Sequence, residues 1–243
     1  MSSNEKRILI TGATGSLGTA FTQALAETGA KMVLGYHRNK DKALELKESI
    51  RGVAALVDAV SIDLTKPKEP LHLIERCNEV MGGIDVLIHC ASLFEKTPLG
   101  SVTSEKWDEI IDADLKVAFF LAQAAAQNMK EKEGSMIFLS DVAVQKPYGS
   151  YLPYCIAKAG IEALVRGLAR TLAPHVRVNA IAPYLVTRPN DMSDKGWVDL
   201  INKTPMRKPN TIEEIVGLVK WLVFDAHTTT GQVIAVDGGR LLR

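Results

Sequence analysis

Short apolar segments alternate with amphipathic segments along the whole chain of 243 residues. The apolar segments are rich in Val, Ile and Leu on both faces, which is typical of parallel strands covered by helices on either side. Strict alternation of strands and helices predicts a doubly wound parallel sheet. The predicted strands are Arg7–Thr11, Lys31–Gly35, Ala54–Val60, Asp85–Cys90, Ser135–Leu139, Arg177–Ile181 and Val233–Val236. The predicted helices are Ser16–Thr28, Lys40–Arg51, Leu71–Met81, Ser104–Met129, Tyr154–Leu172 and Thr211–Phe224.

Composition argues against several classes of protein. Lys and Arg number 29 against 28 acidic residues, with no basic run, so we expect no nucleic-acid partner. The longest apolar stretch, Val117–Ala126, is too short to cross a bilayer, and the start of the chain lacks the apolar core of a signal peptide. Three cysteines without a C-x-x-C pattern suggest neither disulfides nor zinc. We therefore expect a cytoplasmic protein with no membrane contact.

A glycine-rich loop, T-G-A-T-G-S-L-G at positions 11–18, joins the first predicted strand to the first predicted helix. Glycines permit a tight turn and a close approach to a pyrophosphate, and the helix N-terminus offers free N–H groups. A purely structural turn is the alternative, but the position favours a dinucleotide. The predicted contacts are Gly12, Thr14, Gly15, Ser16, Leu17 and Gly18.

The end of the second predicted strand indicates which dinucleotide binds. An acidic residue about 20 positions beyond the loop is typical of NAD sites. Here the sequence reads Tyr36-His37-Arg38, with no Asp or Glu between Lys31 and Lys40. A guanidinium binds a 2′-phosphate where a carboxylate would repel it. We expect NADP(H), held partly by His37 and Arg38; a solvated Arg38 is the alternative.

Tyr154 and Lys158 stand four residues apart at the start of a predicted helix, so both side chains share one face. A nearby ammonium is expected to lower the pKa of the phenol and make it a proton donor near neutral pH. The proline-rich segment at 184–209 is long for a connection within a domain, and we expect it to form a flap over a small-molecule substrate.

Taken in order, the motifs resemble those of the short-chain dehydrogenase/reductase family. They are the glycine loop at 11–18, Asp63-Leu64, His89-Cys90-Ala91-Ser92, Tyr154-x-x-x-Lys158, the stretch from Arg177 to Pro183, and Thr230-Gly231-Gln232 leading to Asp237-Gly238-Gly239. The resemblance implies a single Rossmann-type domain over residues 1–243 and hydride transfer from nicotinamide. It implies Tyr154 as acid and Lys158 on the nicotinamide ribose. It also implies cofactor contacts from Asp63, Leu64, Ala91, Pro183 and Thr187.

A homotetramer built through two long helices is implied by the same resemblance. Ala124, Ala125, Ala126 and the apolar face of Ile161–Leu172 are compatible with such contacts.

Departures from the common family pattern narrow the expected substrate. Asp141 stands thirteen residues before Tyr154, where the family usually has serine, and Asp114 replaces the usual helical asparagine. Together with Tyr36-His37-Arg38 and Ala91-Ser92-Leu93-Phe94, this resembles the pteridine reductase branch, whose phenylalanine stacks on the pterin. The predicted substrate contacts are Ser92, Phe94, Asp141, Tyr154 and Tyr184. Ordinary packing of Phe94 and a turn-forming Asp141 are the structural alternatives.

Three functions follow from these residues. The first is an NADPH-dependent reductase of a dihydropterin or dihydrofolate, with protons from Tyr154 and Asp141. The second is a carbonyl reductase, for example of 3-oxoacyl thioesters, against which Asp141 and Tyr184 argue. The third is a non-catalytic NADP(H)-binding protein, for which Asp114 and His89 leave room and against which Tyr154 and Lys158 argue.

Overall fold

A computed structural model describes residues 5–63, 66, 68–129, 133–189 and 192–243. Its strands pair in parallel in the order β3-β2-β1-β4-β5-β6-β7, which confirms the predicted α/β fold with a seven-stranded sheet. The strands are β1 (Arg7–Thr11), β2 (Lys31–Tyr36), β3 (Leu56–Ser61), β4 (Val86–His89), β5 (Gly134–Leu139), β6 (Val176–Pro183) and β7 (Val233–Val236). The strand order reverses between β1 and β4, where ligands bind in such sheets.

Helices cover both faces of the sheet. They are α1 (Ser16–Ala26), α2 (Lys40–Ser49), α3 (Glu69–Met81), α4 (Ser104–Ile111), α5 (Val117–Met129), α6 (Leu152–Leu172), α7 (Asp194–Asn202) and α8 (Ile212–Phe224). Successive residues of a strand point to opposite faces, so Leu9 joins the core beneath α3, α5 and α6, while Ile8 and Ile10 join the core beneath α1, α2 and α8. The two apolar layers hold the sheet between the helices, and the site lies at one edge of that sheet.

The helical stretch predicted over Ser104–Met129 is not continuous. A π-helical segment, Asp112–Lys116, separates α4 from α5 and contains the fully buried Asp114. A π segment inserts an extra residue into the helical repeat, and such insertions are common at functional sites. The prediction missed it because residue periodicity does not register a single wide turn. Its consequence is that Asp114 points towards the end of β4, not along the helix surface.

The predicted flap at 184–209 carries α7 and returns to the sheet at its far end. The buried Asn210 amide donates to the carbonyl oxygen of Tyr184 at 2.8 Å and also to that of Val236. The two ends of the segment are thereby tied to β6 and β7. Asn190 and Asp191 lie outside the described residues.

The apolar faces named above for subunit contacts are occupied within the chain. Ala125, Ala126 and the core-facing side of Ile161–Leu172 pack in the core beneath α3, α5 and α6. These side chains pack within their own chain because a helix that covers a sheet turns its most apolar stripe inward, and assembly through α5 and α6 stays a prediction. The large apolar side chains that α5 and α6 expose are Phe119, Phe120 and Ile156.

The described residues include no helix that is long and apolar enough to cross a membrane. They also hold no cluster of His, Cys, Asp and Glu that could bind a metal ion.

Candidate active site

The glycine loop lies between β1 and α1 in a conformation that excludes other residues at two positions. Gly12 has φ of +70°, and a Cβ there would lie 2.5 Å from the amide nitrogen of Ala91. A Cβ on Gly18 would lie 2.3 Å from the carbonyl oxygen of Gly12. Gly15 occupies the N-cap of α1 and offers no side chain to the first helical N–H groups. The loop therefore presents backbone donors at a positive helix end, as a pyrophosphate requires.

A cavity of about 350 Å³ opens beside this loop, over the ends of β2 and β3. The predicted cofactor contacts that line it are Gly12, Thr14, Gly15, His37, Arg38, Asp63 and Ala91. The imidazole Nε2 of His37 lies 3.8 Å from Asp63 Oδ1, and both His37 and Arg38 are exposed at the rim. Leu64, also predicted here, lies outside the described residues.

A second cavity, of about 750 Å³, runs from the glycine loop to the segment 184–209. The predicted residues that line it are Ser16, Leu17, Gly18, Ser92, Phe94, Asp141, Tyr154, Lys158, Pro183, Tyr184 and Thr187. Its far end is apolar, with Leu185, Val186, Pro189, Met192, Trp197 and Leu200. Gly12, Gly15, Cys90 and Ser92 border both cavities, so the two spaces meet at the loop. Together they fit a dinucleotide with a second ligand beyond it.

Asp141 follows β5 and caps a short 3-10 turn, Val142–Val144. Its Oδ1 accepts hydrogen bonds from the Ala143 amide at 2.7 Å and from the Tyr148 hydroxyl at 3.2 Å. Its Oδ2 accepts one from the Tyr154 hydroxyl at 2.7 Å. Burial raises the pKa of the Asp141 carboxyl above its ordinary value, although these donors and Lys158 oppose the shift. Burial therefore favours the protonated form of this carboxyl more than water would.

Tyr154 and Lys158 lie one turn apart on α6, and both side chains are buried. Lys158 Nζ donates to the carbonyl oxygen of Leu139 at 2.9 Å and lies 5.5 Å from the centre of the Tyr154 ring. The expectation that Lys158 lowers the pKa of Tyr154 was wrong. Burial and the adjacent Asp141 carboxylate raise that pKa well above its ordinary value, because both disfavour a second negative charge.

Asp114 binds the loop that follows β4. Its Oδ2 accepts from the Ser92 hydroxyl at 2.7 Å, and its Oδ1 accepts from the Leu93 amide at 2.6 Å. Lys158 Nζ lies 3.8 Å from Asp114 Oδ2, and both side chains are buried. The π segment therefore holds a carboxylate that orients Ser92 and faces the Lys158 ammonium.

His89, at the end of β4, is buried and uncharged. Its Nδ1 lies 2.8 Å from Thr11 Oγ1, while its Nε2 has no hydrogen-bond partner among the described residues. Burial, helped by the Lys158 charge, lowers the pKa of His89 to about 3. A neutral imidazole thus joins the ends of β1 and β4 beneath the glycine loop.

Aromatic rings form one wall of the larger cavity. Phe94 stacks on Tyr151 with ring centres 4.4 Å apart and meets Tyr154 edge-on at 4.8 Å. Tyr148 meets Tyr151 edge-on at 6.2 Å, and Tyr184 lies 5.8 Å below the Arg240 guanidinium. Tyr148 and Tyr151 were not predicted from the sequence. The available signal was the spacing of three residues that links them to Tyr154.

The chain matches one family model over most of its length and is similar to known reductases. Residues 12–240 match the family described as enoyl-(acyl carrier protein) reductase. The chain is 30% identical over 239 residues to the 3-oxoacyl-[acyl-carrier-protein] reductase FabG of Staphylococcus aureus, covering 96% of this chain and 97% of that relative.

Two solved structures share the fold. A short-chain type dehydrogenase/reductase from Mycobacterium ulcerans superposes with a TM-score of 0.92 at 25% identity, covering 100% of this chain and 92% of that one. FolM alternative dihydrofolate reductase 1 from Brucella canis, complexed with NADP, superposes with a TM-score of 0.89 at 27% identity, covering 100% and 96%. Both superpositions cover this chain from end to end.

Proposed function

The chain belongs to the short-chain dehydrogenase/reductase family, and from that premise we propose that it is an NADPH-dependent reductase of a pteridine, of the dihydropterin or dihydrofolate type. The family assigns it a nicotinamide cofactor and an oxidoreductase activity. The pteridine substrate, the choice of NADPH and the role of each site residue belong to the proposal.

The observation that carries the proposal is the carboxyl of Asp141 beside the Tyr154 hydroxyl. A hydroxyl at this place would suit a ketone oxygen, which only accepts hydrogen bonds. A carboxyl can accept from the N–H groups of a pteridine or, when protonated, donate to its imine nitrogen. The flat rings of Phe94 and Tyr151 at the cavity wall suit a planar heterocycle.

Arg38 supports NADPH over NADH. It lies with His37 at the rim of the smaller cavity, where folds of this kind bind a ribose 2′-phosphate. No acidic residue stands between Lys31 and Lys40 to repel that phosphate. FolM, whose structure contains NADP, is a further argument by similarity.

The reduction of a C=N bond adds a hydride to carbon and a proton to nitrogen. The nicotinamide cofactor supplies the hydride when bound. The chain supplies the proton: the Tyr154 hydroxyl gives its proton to the substrate nitrogen, and Asp141, when protonated, can return one to Tyr154 across the 2.7 Å between the two oxygens. Lys158 donates to the Leu139 carbonyl oxygen and holds its ammonium 5.5 Å from the centre of the Tyr154 ring, and in this proposal it binds the nicotinamide ribose.

Reduction of a 3-oxoacyl thioester is the second candidate, and the similarity to FabG favours it. That reaction needs a serine hydroxyl beside Tyr154 to bind the substrate oxygen. Asp141 stands at the usual serine position, and the nearest serine in sequence is Ser140. The Ser140 hydroxyl is buried and donates to Glu162 Oε1 at 3.0 Å, so it is already engaged away from Tyr154. This engagement favours the pteridine.

The test is the oxidation of NADPH with dihydrobiopterin, dihydrofolate and acetoacetyl thioester measured side by side, for the wild type, Tyr154→Phe and Asp141→Ser. We expect turnover of a pterin that is lost in Tyr154→Phe, and no gain of thioester turnover in Asp141→Ser. Turnover of the thioester alone would overturn the proposal in favour of a carbonyl reductase. NADPH binding without turnover of any of the three would favour a non-catalytic protein.

We also propose that the chain assembles as a homotetramer in the cytoplasm, as family resemblance implies. The exposed side chains of Phe119, Phe120 and Ile156 are the apolar groups that α5 and α6 offer for such contacts. Light scattering on the purified protein tests the assembly, and a monomeric mass would overturn it.

A further inference from the structure

The two oxygens of the Asp141 carboxylate have different partners. Oδ1 accepts from the Ala143 amide and the Tyr148 hydroxyl, whereas Oδ2 accepts from the Tyr154 hydroxyl. The Ala143 amide belongs to the turn that Asp141 itself caps, so any chain with this turn can form that contact. The Tyr148 hydroxyl is different, because it comes from a side chain seven residues along the chain.

Contacts of the Tyr148 ring fix the position of the Tyr148 hydroxyl. It lies between the 3-10 turn and α6, meets Tyr151 edge-on, and lines the larger cavity. Burial and the Asp141 charge raise the pKa of its hydroxyl, so the group keeps its proton and acts as a donor. Tyr148 is therefore a fixed neutral donor to Oδ1, not a competing acid.

We propose that Tyr148 is a positioning residue that, with the Ala143 amide, occupies Oδ1 of Asp141 and leaves Oδ2 as the oxygen that exchanges a proton with Tyr154. The inference rests on the proposed role of Asp141. With both donors on Oδ1, rotation of the carboxylate about its Cβ–Cγ bond would break two hydrogen bonds. The carboxylate thus stays oriented towards Tyr154 when substrate enters.

Other groups also act on the Asp141 carboxylate. They are Tyr154, Cys155 and Lys158 of α6 and Tyr184 at the end of β6. Removing the Tyr148 hydroxyl leaves all of these in place and deletes one hydrogen bond that favours the ionised carboxylate. The pKa of Asp141 should then rise, whether catalysis uses the ionised or the protonated form.

The experiment compares wild type, Tyr148→Phe and Tyr151→Phe. Phenylalanine keeps the ring contact in both variants, and no hydrogen bond from Tyr151 to Asp141 occurs in the part of the chain the structure describes. The Asp141 carboxyl is titrated by NMR with isotope-labelled aspartate in the NADP⁺-bound enzyme, with Asp141→Asn to assign the signal. The pH profile of kcat/KM is recorded in parallel.

We expect Tyr148→Phe to move the Asp141 midpoint, and the matching limb of the pH profile, upward by about half to one pH unit. The value of kcat should fall while the NADPH Kd stays the same. Tyr151→Phe should leave the midpoint unmoved. An unchanged midpoint in Tyr148→Phe, or an equal shift in Tyr151→Phe, would overturn the proposal. Because the NMR titration needs no substrate, it decides this point even if no pteridine is reduced.

Discussion

The two cavities that meet at the glycine loop are lined by different kinds of chemical group. The smaller one is formed by backbone, by glycines that admit no Cβ, and by exposed side chains such as His37 and Arg38. The larger one is lined mainly by side chains, which include the hydrogen-bonded pair Asp141 and Tyr154 and an apolar far end. The first is suited to a ligand common to many proteins, and the second to one particular substrate.

The difference also separates binding from chemistry. Around Asp141, burial raises the pKa of the carboxyl and of its two phenol partners. The groups at the rim of the smaller cavity are exposed, so their charges act through water. Changes in the larger cavity should therefore affect kcat, and changes in the smaller one should affect cofactor affinity.

Tyr154→Phe should have the largest effect. It removes the proton donor but keeps the ring that meets Phe94. We expect kcat to fall by about 10²–10⁴-fold, with the NADPH Kd unchanged, measured by steady-state kinetics and cofactor fluorescence. A variant that keeps more than a third of wild-type kcat would place the proton donor elsewhere.

Gly18→Ala should come next. A Cβ there would lie 2.3 Å from the Gly12 carbonyl oxygen, so the loop must shift. We expect the NADPH Kd to rise by at least about tenfold and the free energy of unfolding to fall by about 1–3 kcal/mol, measured by titration calorimetry and urea unfolding.

Gly217→Ala is the matched control for that substitution, because a Cβ at Gly217 meets no described atom within 4 Å. It lies inside α8, where alanine is the better helix former, so the protein should be unchanged or slightly more stable. Equal losses in the two variants would mean that the close approach within the loop is not what matters.

Arg38→Gln tests the smaller cavity at its rim. Removing a guanidinium that pairs with a 2′-phosphate should weaken NADPH binding roughly ten- to hundredfold and leave NADH binding nearly unchanged. The measurement is the ratio of the two Kd values in wild type and variant. Equal weakening for both cofactors would show that Arg38 stabilises the loop after β2 and does not bind the 2′-phosphate.

His89→Asn should have the smallest effect on catalysis, and its diagnostic effect is on the pH dependence of the free energy of unfolding. The pKa of His89 is about 3 in the folded protein, against 6.5 for an ordinary histidine, so the unfolded chain binds the extra proton between these values. Folding stability from this group is present above pH 6.5 and is lost as the pH falls towards 3.

The wild type should therefore lose up to about 1.4 kcal/mol per pH unit more than His89→Asn across that window, measured by urea unfolding. His72→Asn, at an exposed position of α3, is the control and should follow the wild-type curve. Identical slopes in wild type and His89→Asn would show that His89 is charged in the folded protein.

The sequence by itself determined the order of strands and helices, the parallel sheet, the glycine loop and the pairing of Tyr154 with Lys158 on one helical face. These follow from local periodicity and from residues whose function depends on near neighbours. It also placed Asp141 thirteen residues before Tyr154, although nothing in that spacing says that the two side chains are hydrogen-bonded.

Only the tertiary structure decided the charges and partners within the site. The direction of the Tyr154 pKa shift, the role of Tyr148, the π segment that turns Asp114 inward and the engagement of Ser140 by Glu162 all depend on which groups are buried together. Burial and the distance between charges come from packing of segments far apart in the chain. A phenol beside an ammonium in sequence can therefore still be controlled by a carboxylate that the fold brings to 2.7 Å.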